Sequence, residues 1–344
     1  MKEGTVFRSR RYWAVLGALA VGLIMLFVSR HRERAVYHTE EGVVWTTGYH
    51  ITYLSQHQLA DSIQAVLACV DASASVYNEQ SLVSRINRND TSQPDSLFTR
   101  LYSCSWTIYW LSGGSYDPTV LPLVEAWGFG HDRGAEPTQA KIDSILPYVG
   151  MKRTRLADGV LTKDDPRMQF DFSSIAKGLA VDEVGRMLER NGVKNYLVEI
   201  GGEVLARGVN QQGVPWHVSV DLPVSQADSV VHTSAVVLTV DSLAVATSGN
   251  YRKFRDRPAG ERVSHIIDPL TGRSQVSNLL SVTVVAPDCM TADAWSTACM
   301  AMGLDRTRAM MENVDNLGVM TISTDDDGNW VVWSNHRFAS LVTQ

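Results

Sequence analysis

Cysteine is scarce in this chain, with 4 in 344 residues, at Cys69, Cys104, Cys289 and Cys299. They form no C-x-x-C pair and no zinc-like spacing, which excludes a structural metal knuckle. Positive charge is also in deficit: 31 Lys+Arg stand against 37 Asp+Glu, a net charge of −6. Proteins whose main partner is nucleic acid carry a basic footprint, so no nucleic-acid partner is expected, while a phosphate-bearing small molecule stays open. There is no Walker loop, no G-x-G-x-x-G fingerprint and no G-x-S-x-G elbow. What is there, 44% hydrophobic residues with 25 Gly and 11 Pro, describes an ordinary globular chain with one core, or at most two.

Residues 12–28, YWAVLGALAVGLIMLFV, form a run without a charge, flanked by Lys2, Arg8, Arg10 and Arg11 before it and Arg30, Arg32 and Arg34 after it. At about 1.5 Å per residue such a run just crosses a bilayer core of roughly 30 Å. A cleaved signal peptide would need small residues at a cleavage site, and here Ser-Arg-His-Arg-Glu-Arg follows. The reading is an uncleaved signal anchor with residues 1–11 as a cytoplasmic tail. Residues 29–41 are polar and read as a stalk. Residues 42–344 then form one domain outside the cytoplasmic membrane.

Within that domain Leu59, Ile63, Val66, Leu67 and Val70 recur at helical spacing, as do Leu97, Leu101, Cys104, Ile108 and Leu111 before Gly113-Gly114. A third helix is expected from Ser173 or Ser174 to Gly192. Strands are expected over 195–200, 216–220, 235–240, 280–286, 317–323 and 330–333, and their succession implies a mostly antiparallel sheet. The run Asp325-Asp326-Asp327-Gly328 lies between two of them and reads as a hairpin turn, lacking the later Glu of a calcium loop.

Five polar constellations stand out. Ser115-Tyr116-Asp117-Pro118-Thr119, followed by Trp127-Gly128-Phe129-Gly130, is an acidic turn directly after a helix. Asp171-Phe172-Ser173-Ser174-Ile175-Ala176-Lys177-Gly178 sets a carboxylate, small residues and a Lys at a helix start, where free N–H groups and the dipole favour an anion. Capping by Asp171 or Ser173 is the plainer alternative. Gly201-Gly202-Glu203 follows a strand and allows positive φ or close backbone approach. Thr247-Ser248-Gly249-Asn250-Tyr251 and Ser264-His265-Ile266-Ile267-Asp268-Pro269-Leu270-Thr271-Gly272 place His265 between a polar loop and an Asp-Pro turn. In Thr291-Ala292-Asp293-Ala294-Trp295-Ser296-Thr297, Asp293 and Thr297 lie four residues apart and share a helix face, a pair of hard oxygen ligands suited to Mg²⁺ or Ca²⁺.

In order along the chain, these segments resemble the ApbE family of flavin transferases, the FAD:protein FMN transferases, from about Glu41 to Leu341. The motifs that carry the resemblance are 42–53 (GVVWTTGYHITY), 75–87 (SVYNEQSLVSRIN), 116–130 (YDPTVLPLVEAWGFG), 171–182 (DFSSIAKGLAVD), 197–203 (LVEIGGE), and TSGNY, HIIDPLTG and ADAWST within 247–297.

The resemblance implies an α+β, ApbE-like, T-fold-related single domain with mostly antiparallel sheets and packed helices, behind an N-terminal membrane anchor. It implies an inner-membrane, single-pass protein whose catalytic domain faces the periplasm. The metal ligands carry over to Asp293 and Thr297 by side chain and to Ser174 by its backbone carbonyl. FAD contacts carry over to Tyr77, Ser115, Tyr116, Asp117, Asp171, Lys177 and Ile267, and Trp45 stands where relatives often have Met against the flavin. Thr46-Thr47-Gly48 departs from the common Gly-Thr-Thr, and Ser296 replaces a carboxylate of some relatives.

The implied reaction uses FAD as substrate and a cation, Mg²⁺ with Mn²⁺ or Ca²⁺ as alternatives. A Thr or Ser hydroxyl of a target protein attacks the FMN-side phosphorus and AMP leaves. Lys177 is expected to stabilise charge and His265 to act as the base. The implied target carries an Asp-Gly-x-[Ser/Thr]-Gly-Ala-[Ser/Thr]-like motif and belongs to a membrane redox complex. Two other readings stand beside it: a metal-dependent FAD pyrophosphatase at the same metal site, and a non-catalytic periplasmic FAD-binding protein, which would keep Trp45, Tyr77 and Asp117 but need none of Asp293, Thr297 and His265.

Overall fold

A computed structural model describes Trp13, residues 15–19, Val21, and residues 34–130, 136–223, 234–250, 254–256, 262–264, 266–274 and 277–343. Most of the apolar run 12–28 lies outside the described residues, and among those described no helix is long and apolar enough to cross a membrane.

The body opens with β1 (Val36–Val44), β2 (Thr47–Ser55), α1 (Ala60–Ala74), α2 (Leu82–Asn87) and α3 (Ser96–Leu111). Then come α4 (Leu121–Ala126), α5 (Gln139–Ile145), β3 (Thr154–Ala157), β4 (Val160–Lys163), α6 (Ala176–Arg190), β5 (Tyr196–Ile200) and β6 (Glu203–Arg207). The chain continues through β7 (Trp216–Asp221), β8 (Ser234–Val240), β9 (Leu243–Gly249), β10 (Phe254–Asp256), β11 (Arg262–Ser264) and β12 (Leu279–Ala286). It closes with α7 (Cys289–Met302), α8 (Leu304–Met311), β13 (Gly318–Thr324), β14 (Trp330–Ser334) and α9 (His336–Ala339).

One 8-stranded sheet, in the order β1-β2-β5-β6-β9-β12-β13-β14, organises the fold, and each of its pairings is antiparallel. Alternation along the strands divides the core. Val282, Val284, Ala244 and Ala246 face the helices α1, α3, α6 and α7, while Val285, Val245, Met320 and Ile322 face the β7–β8 hairpin. Helix α7 is buried on nearly every side, because it lies against β9 and β12 with α6 and α3 over it.

Three expectations are corrected here. The stalk does not reach Glu41: β1 begins at Val36 and pairs with β2 from Val36↔Ser55 onward. Its polar composition is that of an edge strand, whose outer residues meet water. Helix α6 starts at Ala176, two or three residues late, because Asp171 Oδ1 accepts the Ser173 N–H at 2.8 Å and holds a turn ahead of the helix. Thr247-Ser248-Gly249 is the end of β9 and not a loop, paired with β12 at Thr283, Val282 and Ser281. The Asp325 segment is the expected turn, with the Asp325 N–H donating to the Asn329 carbonyl between β13 and β14.

Candidate active site

The site is built where the first turns of α6 and α7 meet. Gly178 allows the approach: a Cβ there would stand 2.4 Å from the Cys289 carbonyl oxygen, so any larger residue would push α7 away. The Gly178 N–H donates to Asp293 Oδ2 at 3.0 Å, which satisfies an amide of the α6 start with a carboxylate from α7.

Asp293 is buried beside an ion pair between Lys177 and Glu203, the residue that follows the Gly201-Gly202 turn. Burial and then the Glu203 carboxylate push the Asp293 carboxyl up, against the Lys177 ammonium and the Gly178 amide. Burial disfavours the Lys177 ammonium, but Glu203 and Asp293 outweigh it and hold its pKa above the ordinary value. Two carboxylates around one ammonium leave surplus negative charge in a buried place, which a divalent cation would offset.

The donor set agrees. Thr297 lies one helical turn beyond Asp293, and its hydroxyl is 3.2 Å from that of Ser248 at the end of β9. Ser248 also bonds Ser296 at 2.7 Å, and Ser296 donates to the Asp293 carbonyl. Among the described residues no three His, Cys, Asp or Glu side chains gather at one point. One carboxylate with hydroxyls and carbonyls therefore fits a hard cation that keeps waters and borrows phosphate oxygens, the habit of Mg²⁺, and not a soft metal.

The turn after α3 reaches the same place. The Ser174 hydroxyl donates to Tyr116 Oη at 3.4 Å, and burial pushes the Tyr116 phenol far up. Beside it Ser115 Oγ is buried and has no hydrogen-bond partner among the described residues, so its hydroxyl suits a ligand acceptor. Asp117 has a structural task. One oxygen accepts the Thr119 N–H and hydroxyl at 2.8 and 2.6 Å, and the other accepts the Met151 N–H at 2.9 Å. Burial pushes its carboxyl up to about 6 despite these donors.

Tyr77 is exposed, and burial of part of its ring, then Asp171 and Glu125, raise its phenol, so it shares the neighbourhood of Asp171. Ile267 is buried in an apolar cluster with Leu123, Trp127 and Ile142, and the Trp127 indole ties that loop down by donating to the Gly272 carbonyl at 2.8 Å. Trp45 donates to Asp71 Oδ1 at 2.9 Å, and Asn78 donates to the other Asp71 oxygen at 2.7 Å. One carboxylate thus joins Trp45 to the turn that carries Tyr77.

Trp45 and Thr46 form the two-residue turn between β1 and β2 with φ of 49° and 63°, the geometry that Gly201 and Gly202 adopt between β5 and β6 at 62° and 100°. The two tips are adjacent, since the Gly201 N–H donates to the Gly48 carbonyl at 2.9 Å. Glycine adopts this turn freely, whereas a β-branched Thr there is strained.

The structure therefore brings together Ser174, Lys177, Asp293 and Thr297 with Ser115 and Tyr116, and places Tyr77 beside Asp171. Lys177 is not a freely moving charge, because Glu203 holds it. His265 lies outside the described residues. Glu203, Ser248, Asp71 and Asp182 were missed as site residues. Glu203 and Ser248 stood inside the Gly-Gly-Glu and Thr-Ser-Gly constellations, Asp182 closes the 171–182 motif on the helix face of Gly178, and Asp71 carried no signal.

The ApbE family profile matches residues 45–321. The FAD:protein FMN transferase of Vibrio cholerae is 35% identical over 92% of this chain and 95% of its own length. That of Haemophilus influenzae is 32% identical over 95% of this chain and 97% of its own. Among solved structures, the flavin transferase ApbE from Vibrio cholerae superposes with a TM-score of 0.78 at 32% identity, covering 89% of this chain and 99% of that one. The apo flavinyl transferase ApbE of Pseudomonas stutzeri gives 0.80 at 29% identity over 90% of this chain and 97% of its own. With its motifs in the family's order and its fold shared over most of both chains, this chain belongs to the ApbE family.

Proposed function

We propose that the chain is an FAD:protein FMN transferase, and the observation that carries this reading is the buried Asp293, with the half-buried Thr297 one helical turn on, set against the Lys177–Glu203 pair and a buried Ser115 hydroxyl that has no partner among the described residues. FAD binds with its flavin toward Trp45 and Tyr77 and its pyrophosphate toward Ser115, Tyr116, Asp171 and Lys177, with Ile267 as an apolar wall. Asp117 serves by holding the Ser115-Tyr116 turn.

The hydroxyl oxygen of an acceptor Thr or Ser bonds to the FMN-side phosphorus. The bond from that phosphorus to the bridging oxygen breaks, and AMP departs with that oxygen. The hydroxyl proton goes to a base, for which His265 is the candidate. When bound by Asp293, Thr297 and the Ser174 carbonyl, Mg²⁺ supplies charge stabilisation to the pyrophosphate. Lys177, fixed by Glu203, adds a positive charge that needs no reorganisation during the reaction.

The charge-free run 12–28 and its basic flanks support a single-pass anchor in the inner membrane, with the catalytic body on the periplasmic side. An acceptor with the Asp-Gly-x-[Ser/Thr]-Gly-Ala-[Ser/Thr]-like motif, in a membrane redox complex, would meet it there.

The test uses the detergent-solubilised full chain with FAD, Mg²⁺ and a domain bearing the acceptor motif, read by the acceptor's mass with and without chelator. A metal-dependent gain of one FMN group supports the transferase. AMP and free FMN with an unmodified acceptor would replace it by the pyrophosphatase. FAD left intact under every divalent metal would make the chain a flavin-binding protein.

A further inference from the structure

The first three amides of α7 need partners from outside the helix, as in any helix. Asp288, the residue just before α7, takes the Thr291 N–H at 2.9 Å with its own side chain. The other two go to α6: the Cys289 N–H donates to Asp182 Oδ1 at 2.8 Å and the Met290 N–H to Asp182 Oδ2 at 3.0 Å. Asp182 is buried, and two backbone bonds, one to each oxygen, leave its carboxylate one orientation.

The arrangement is reciprocal. Asp182 of α6 caps the start of α7, and Asp293 of α7 accepts the Gly178 N–H at the start of α6. Gly178 and Asp182 are four residues apart on one face of α6, and both meet α7 at Cys289 and Met290, one by backbone contact and one by a two-pronged cap, while Asp293 from the next turn of α7 accepts the Gly178 N–H. Together these contacts fix both the depth of α7 and its rotation about its own axis. Asp293 and Thr297 lie on the next turns of that helix, so its rotation decides where their oxygens point.

We propose that Asp182 is a positioning residue for the cation site: its cap on Cys289 and Met290 sets the orientation of α7 from which Asp293 and Thr297 reach the ion. The inference rests on the cation reading of the proposed function. Carboxylates that orient the groups holding a metal commonly matter by 10–100-fold in affinity.

The experiment measures Mn²⁺ affinity of the purified full chain from the free-ion electron paramagnetic resonance signal, without FAD or acceptor, in wild type and Asp182→Asn. Asparagine keeps one acceptor and turns an amide against the other N–H. The expected result is Mn²⁺ binding weaker by about tenfold or more, at a temperature where circular dichroism shows the variant folded, with FAD affinity by flavin fluorescence unchanged within twofold. Transfer should then need a higher Mg²⁺ concentration for half its maximal rate. A merely structural cap would lower the melting temperature and leave Mn²⁺ affinity alone.

Wild-type Mn²⁺ affinity in folded Asp182→Asn overturns the inference by itself. A wild type that binds no Mn²⁺ either alone or with FAD added overturns the cation reading and the inference together. If Asp182→Asn does not accumulate as folded protein, Asp182→Glu, which keeps the charge and both acceptors on a longer arm, takes its place under the same two criteria.

Discussion

Lys177 in the first turn of α6 and Glu203 at the start of β6 close an ion pair beneath Asp293. The pair joins a helix start to the strand that leaves the Gly201-Gly202 turn, so the charge nearest the proposed pyrophosphate is held by the sheet. Glu203 is buried and Lys177 half-buried, so removing Lys177 strands a buried carboxylate, which costs about 3–5 kcal/mol. Lys177→Met should lower stability by about 3 kcal/mol and Glu203→Gln by less, because Lys177 reaches water and keeps Asp293 beside it, with the double variant below the sum, in urea unfolding. Lys177→Met should also slow transfer by about 100-fold, from the loss of one aligned charge.

Asp293→Ala should abolish metal-dependent transfer while the chain still folds. The checking measurement is a thermal melt with and without Mg²⁺: wild type should gain stability from the ion by mass action, and the variant should gain none. Full metal-dependent activity in Asp293→Ala would remove Asp293 from the site.

Gly178→Ala places a methyl 2.4 Å from the Cys289 carbonyl oxygen, and backbone on both sides limits relief. Overpacking of this kind costs about 1–3 kcal/mol. The variant should lose that much in urea unfolding and should lose transfer activity out of proportion, because α7 moves with Asp293. Wild-type activity in a folded Gly178→Ala would mean that the contact does not set the site.

Thr46→Gly should stabilise the protein by about 1 kcal/mol, since it relieves a β-branched residue at φ 63° in the β1–β2 turn. If Trp45 is held against the flavin by that turn, FAD affinity should fall in the same variant. A Thr46→Gly chain less stable than wild type would show that the side chain contributes more than its strain removes.

Asp117 makes a pH prediction. Its folded carboxyl is raised to about 6, above its unfolded value, so its favourable contribution is complete below pH ~4 and is lost as pH rises through about 6. Asp117→Asn has no such dependence. Its destabilisation, measured by urea unfolding, should therefore be larger at pH 4.5 than at pH 7.5, by on the order of 2 kcal/mol. An equal cost at both values would mean that the carboxyl is not raised.

Helical spacing around Ile63 and Ile108, the alternating runs of β7, β8, β12 and β13, and the shared face of Asp293 and Thr297 were all legible, because each depends on periodicity within one element. The motifs of the family were legible for the same reason: each is a short local string. Residues 36–41 of β1 were misread as stalk, since an edge strand has the composition of a loop and only its partner β2 makes it a strand.

The amino-acid sequence by itself thus determined three core helices, six strands of mostly antiparallel sheet and the identity of the candidate ligands, and its family motifs implied the α+β class. The tertiary structure alone decided that Lys177 is bound by Glu203, that Asp117 closes a turn, and that Asp182 and Asp293 cap each other's helices. Burial and the contacts between elements distant in the chain set these roles: a carboxylate reads the same in any sequence, and its neighbours in the folded core decide whether it holds a proton, a helix or a metal ion.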